Sequence, residues 1–126
     1  MKIEHVGLFV KDLEAMRLFY ETYFDAVAGK KYHNVETTFQ SYFLTFSDGA
    51  RLEIGTREDL FNVSKKEKLG YAHLAVSVGD CEKVDEMVEQ LRADGFTIKS
   101  EPRITGDGYY EAVILDPEAN EIELTV

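Results

Sequence analysis

Two nine-residue stretches constrain the fold of this chain more than any other feature. They are KIEHVGLFV, Lys2 to Val10, and GYAHLAVSV, Gly70 to Val78. Each alternates as a strand does. Val6, Leu8 and Val10 share one face, with His5, Gly7 and Phe9 on the other; Leu74, Val76 and Val78 oppose His73, Ala75 and Ser77. The residues after each stretch repeat as well. Asp12 and Asp80 stand where helix N-caps belong. Leu13, Met16, Tyr20, Tyr23, Phe24 and Val27 predict an amphipathic helix to about Val27, ended by Gly29. Val84, Met87, Val88 and Leu91 predict its counterpart, stopped near Gly95. Strand patterns then occupy 31–36, 40–46 and 51–55 in the first half, and 96–104, 109–115 and 121–126 in the second. The last two strands of each half are joined by turn residues, SDGA and DPEAN.

Each half therefore reads β-α-β-β-β, and the fold class is α+β. Repeat one spans about 1–56 and repeat two 70–126, within a single domain. Residues 57–69 make a polar linker in which a short helix is expected. One helix covers one face of a sheet, so the other face needs a partner: the other half, or a second subunit. The expected outcome is a curved mixed sheet around a cavity, in a dimer with sites between modules.

The last strand of each half carries a glutamate between aliphatics, Glu53 in LEI and Glu123 in IEL. The offset from His5 to His73 and that from Glu53 to Glu123 differ by two residues. Alternation sets all four opposite the face that packs on a helix. A lone glutamate there is an ordinary solvated side chain, and a lone histidine an ordinary satisfied one. The matched pairing is what raises them to metal ligands. Two imidazoles and two carboxylates make an N2O2 set suited to Zn, Ni, Co, Fe or Mn, one divalent ion per site. Without a cation, bringing two such carboxylates together would cost desolvation and repulsion.

Composition narrows the partners. A net charge of −10 argues against binding a nucleic-acid backbone. No apolar run reaches the roughly 20 residues that cross a bilayer, and no secretory signal is read at the N-terminus. The single cysteine, Cys81, excludes an intrachain disulfide and fits a cytoplasmic location. A small-molecule substrate and a second copy of the chain are the expected partners, with no nucleic acid and no membrane.

The segments HVGLFVKDLEAMRLFYETYF, GYAHLAVSV and TGDGYYEAVILDPEANEIELTV together resemble the vicinal oxygen chelate superfamily. That superfamily includes glyoxalase I, bleomycin-resistance proteins, extradiol dioxygenases and fosfomycin-resistance enzymes. Ala119 stands where a glycine is usual, and Asn120 is expected to take the left-handed conformation of that turn. The set His5, Glu53, His73 and Glu123 is most similar to bacterial glyoxalase I. The resemblance implies a divalent metal at those four residues and a homodimer with two sites, each shared between subunits. It implies a lyase or isomerase acting on a hemithioacetal or 2-oxo compound through an enediolate stabilised by the metal, with Glu123 and Glu53 as the catalytic bases. A thiol cosubstrate is part of that chemistry. Phe9 and Arg57 replace the arginine and asparagine that glutathione-dependent relatives place there, which points away from glutathione. The alternatives are a fosfomycin-modifying or ring-cleaving relative, for which Glu53 is surplus, and a non-catalytic ligand-sequestering protein of the bleomycin-resistance type. One of Tyr109 and Tyr110 is expected to line the cavity and the other to pack. His33 is expected to be exposed, and Cys81 to be structural.

Overall fold

In a computed structural model, which describes residues 1–60, 70–106 and 108–126, the chain divides into two compact units, Met1–Lys66 and Glu67–Val126. The first runs β1 (His5–Phe9), α1 (Leu13–Phe24), β2 (Val27–Ala28), β3 (Tyr32–His33), β4 (Gln40–Thr45) and β5 (Arg51–Thr56). The second runs β6 (His73–Ser77), α2 (Cys81–Ala93), β7 (Ile98–Ile104), β8 (Tyr110–Leu115) and β9 (Glu121–Thr125). The linker helix expected within 57–69 falls largely on 61–69, outside the described residues.

Each unit holds one mixed sheet with one helix packed on it. The first sheet is ordered β1-β5-β4-β2, with β3 also on β4; the second is ordered β6-β9-β8-β7. The first and last strands of each unit pair in parallel, and the connection between them carries the helix. The cores follow from the alternation. In the first, Leu13, Met16, Phe19, Tyr20 and Phe24 of α1 are buried with Val10, Leu44, Leu52 and Ile54. In the second, Val84, Met87, Val88 and Leu91 of α2 are buried with Ala112, Ile114, Ile122 and Leu124. Burying side chains of this size contributes roughly 1.5–3 kcal/mol each, which fixes the helix face against its sheet.

Both helices start as expected. The Asp12 carboxylate accepts from the Ala15 amide at 3.0 Å, and that of Asp80 from the Lys83 amide at 2.8 Å. The end of α1 differs from the reading of a helix to Val27 closed by Gly29. Asp25 turns left-handed (φ 50), and Val27 belongs to a strand and is exposed. The Asp25 and Ala26 amides both donate to the Tyr20 carbonyl, closing the helix four residues before Gly29. The end of α2 matches its reading. Gly95 is left-handed (φ 89), its amide reaches the Arg92 carbonyl and that of Phe96 the Leu91 carbonyl.

The turn before β9 carries a second correction. The left-handed residue is Ala119 (φ 64), not Asn120. Asp116 holds the turn by accepting from the Glu118 and Asn120 amides and from the Asn120 side chain. Burial pushes the Asp116 carboxyl up, against the pull of those hydrogen bonds.

Candidate metal centre

The register of the parallel strand pairs sets the candidate ligands. In the first unit His5 lies beside Arg51 and Gly7 beside Glu53; in the second His73 lies beside Glu121 and Ala75 beside Glu123. The glutamate therefore sits two register positions along from each histidine, on the same face. Its neighbour across the strands carries no more than a methyl group. The carboxylate turns toward the imidazole in both cases: His5 Nε2 to Glu53 Oε2 is 3.9 Å, and His73 Nε2 to Glu123 Oε2 is 3.6 Å. Side-chain exposures of 40% and 24% in the first pair, and 43% and 19% in the second, leave each pair half-enclosed and reachable from solvent.

The sequence-predicted residues are thus brought together two by two, His5 with Glu53 and His73 with Glu123. Among the described residues, no group of three or more acidic, histidine or cysteine side chains stands ready to hold a metal ion.

The surroundings of the two pairs differ. Beside Glu53, the pocket of about 140 Å³ formed by Gly7, Leu8, Phe9, Phe39, Glu53 and Gly55 is mostly apolar. Phe9 and Phe39 meet edge to face with centroids 6.5 Å apart. A Cβ on Gly55 would meet the Phe39 ring at 2.8 Å, so the ring lies where only glycine leaves room. Arg57 is engaged twice at the rim, 5.4 Å above the Phe9 ring and 2.6 Å from the Asp59 carboxylate. Beside Glu123, the corresponding strand positions carry Ser77 and Thr125, and no partner is found for the buried Thr125 Oγ1 among the described residues.

Sequence reasoning missed Glu4. Its carboxylate accepts from His5 Nδ1 at 2.5 Å and is also bonded by Arg51. The hydrogen bond from His5, followed by that from Arg51, holds the Glu4 carboxyl below the usual carboxylate range. A strand-alternation argument places Glu4 on the helix side; it lies just before β1, where alternation does not bind it. The signal available was the pairing of His5 with Arg51 across the sheet.

The remaining singled-out residues sort simply. Tyr110 packs toward its helix, its hydroxyl donating to Asp85 at 2.6 Å, and Tyr109 is exposed. His33 and Cys81 are exposed. No helix among the described residues is long and apolar enough to cross a membrane.

Comparison with known proteins agrees with the fold. Residues 2–124 match the sequence model of the Glyoxalase/Bleomycin resistance protein/Dioxygenase superfamily. Protein YqjT of Bacillus subtilis (strain 168) is 28% identical over 127 aligned positions, covering 97% of this chain and 96% of that protein. A glyoxalase family protein from Enterococcus faecalis superposes with a TM-score of 0.81 at 24% identity, over 99% of this chain and 97% of its own. The trypanothione-dependent glyoxalase I of Leishmania major superposes with a TM-score of 0.79 at 25% identity, over 99% of this chain and 86% of its own. Repeat, register and sequence match lead to one conclusion: this chain belongs to the Glyoxalase/Bleomycin resistance protein/Dioxygenase superfamily.

Proposed function

We propose that the protein is a metal-dependent lyase or isomerase of the glyoxalase type. Its substrate is a hemithioacetal or related 2-oxo compound, and one divalent cation is held by His5, Glu53, His73 and Glu123. One observation carries this function: the same His–Glu pair stands in the same strand register in both units, with Nε2-to-Oε2 separations of 3.9 and 3.6 Å. The donor set fits Zn, Ni, Co, Fe or Mn, since two imidazole nitrogens and two carboxylates suit these ions. A full set takes one pair of each kind. A homodimer exchanging units would supply it, and the ligand-bearing faces with Phe9 still exposed support such an assembly.

Bound there, a divalent cation would supply a Lewis acid that draws charge from adjacent substrate oxygens. The chain's own residues do the rest. Glu123 or Glu53 takes a proton from one carbon on a carboxylate oxygen and returns it to the neighbouring carbon. The Phe9–Phe39 pocket accepts an apolar substituent and keeps water from it. Arg57, held by Asp59 and Phe9, is poorly placed to hold a glutathione carboxylate, which supports another thiol as cosubstrate. The likeness to a trypanothione-dependent glyoxalase I supports the lyase class.

The test is to load the purified protein with Zn, Ni or Co, measure bound metal, and follow hemithioacetals by NMR in deuterated water. Deuterium incorporation at the reacting carbon with product formation is expected. Loaded protein that gives neither exchange nor turnover with any hemithioacetal or 2-oxo compound would overturn the function. A protein that stays metal-free when these ions are supplied would point instead to ligand sequestration.

A further inference from the structure

His5 is held far more tightly than its counterpart. Its Nδ1 meets Glu4 Oε2 at 2.5 Å, while Arg51 bonds the other Glu4 oxygen. Arg51 is also the strand partner of His5, and its guanidinium lies 4.2 Å from the centroid of the Phe43 ring. Phe43 closes the loop, meeting the His5 ring edge to face at 5.2 Å and 82°. The imidazole is thus gripped at one nitrogen and packed edge to face against the Phe43 ring. The second unit has none of these groups: Ala72 replaces Glu4, Glu121 replaces Arg51, and Val113 replaces Phe43.

A carboxylate only accepts hydrogen bonds, so the nitrogen it meets must carry the hydrogen. In neutral His5 that leaves the lone pair on Nε2, the atom facing Glu53. Histidines that bind metals are oriented in this manner, by a carboxylate on the far nitrogen that fixes the tautomer and raises basicity. Stability gives Glu4 little reason to be there. Its side chain is 56% exposed, and exposed pairs contribute little to folding.

We infer that Glu4, clamped by Arg51, is a positioning residue that locks His5 in its Nδ1–H tautomer and makes it the stronger of the two imidazole ligands. The inference rests on the metal reading above, but its first test does not need a metal.

That test is long-range nitrogen–proton NMR of the histidine rings in metal-free wild-type protein, Glu4→Ala and Glu4→Gln. Wild type should show His5 with hydrogen on Nδ1. Glu4→Ala should move it toward the Nε2–H form, Glu4→Gln should fall between, and the His73 signals should stay unchanged. The second test is competition with a chelator for Zn or Co. Glu4→Ala should bind about 10- to 100-fold more weakly, with an unchanged unfolding midpoint in metal-free protein. A His5 that is Nε2–H in wild type, or keeps its tautomer in Glu4→Ala, overturns the inference. So does metal affinity unchanged in Glu4→Ala while His5→Ala abolishes binding; that result leaves the metal site standing. Wild type that takes up no Zn, Ni or Co removes the metal site itself, and the role of Glu4 with it.

Discussion

The two units share a register and differ in almost everything around it. Both pair their first and last strands in parallel, both set a histidine and a glutamate on the same face, and both bury two aliphatics of the last strand against a helix. Yet one pair sits beside an aromatic pocket with Glu4 behind its histidine, and the other beside Ser77 and Thr125. Backbone pairing thus fixes where each histidine and glutamate stands, while the neighbouring side chains give each pair its own surroundings. A duplicated fold can in this way keep one His–Glu register in both copies and still surround each pair with different side chains.

The largest effects should come from the glutamates, where the comparison is sharpest. Glu53→Gln and Glu123→Gln each keep the shape and remove the charge. If both ligate and only one serves as base, turnover should fall about 10²- to 10⁴-fold for the base, and less for the other once metal is saturating. Steady-state kinetics on the metal-loaded variants would rank them. Equal activity of Glu53→Gln and wild type would break the equivalence of the pairs and favour a two-histidine, one-carboxylate site.

Stability should report the shared register next. Leu44 and Ile114 occupy equivalent strand positions, opposite Leu52 and Ile122, and both are fully buried. Truncating either to alanine should cost about 2–5 kcal/mol, measured by urea unfolding. Similar losses would mark equivalent cores. A loss below about 1 kcal/mol at one site would show a core that collapses around the gap.

Much of this architecture is legible in the sequence. The N-caps Asp12 and Asp80, the stripe of α2 and the strands carrying Glu53 and Glu123 follow from side-chain chemistry and period alone. Two of the features that escape such reasoning depend on backbone choices that residue type does not dictate. Asp25 and Ala119 adopt left-handed conformations where a reader looks for glycine or asparagine. Phe19 is buried in the α1 stripe and lies three residues after Met16, yet the helical pattern read from the sequence omits it. Glu4 escapes because its role is decided by a cross-strand neighbour, Arg51, distant in sequence.

The turns before the last strands give a smaller effect with opposite signs in the two units. Gly49 occupies the left-handed position in the first (φ 85), Ala119 in the second (φ 64). A side chain in that region costs about 1–2 kcal/mol. Gly49→Ala should therefore destabilise by about that much, and Ala119→Gly should stabilise by somewhat less, because glycine also loosens the unfolded chain. Thermal melts of the two variants should move in opposite directions; a shift of both in the same direction would show that the turns are not equivalent.

The smallest effect concerns how each helix is tied to its sheet. Tyr42 donates to Glu14 of α1 at 3.0 Å, and Tyr110 to Asp85 of α2 at 2.6 Å. The charge environments differ, because Glu14 is also met by Lys31 at 2.9 Å and Arg17 at 3.1 Å. The hydrogen bond to Asp85 pushes the Tyr110 hydroxyl up to about 12, with desolvation and the Asp85 charge adding to it. A raised acid pKa means that the folded protein keeps a proton the unfolded chain releases. The contribution is fully present below pH 10, the ordinary tyrosine value. It is lost as pH rises through about 12. Asp85→Asn should bring one tyrosinate transition, followed by absorbance, down toward 10 and narrow that window. In a Tyr110→Phe background the same substitution should leave the titration unchanged. If Asp85→Asn moves nothing in the parent protein, the tie between α2 and β8 is not the charge-assisted contact that sets this unit apart from the first.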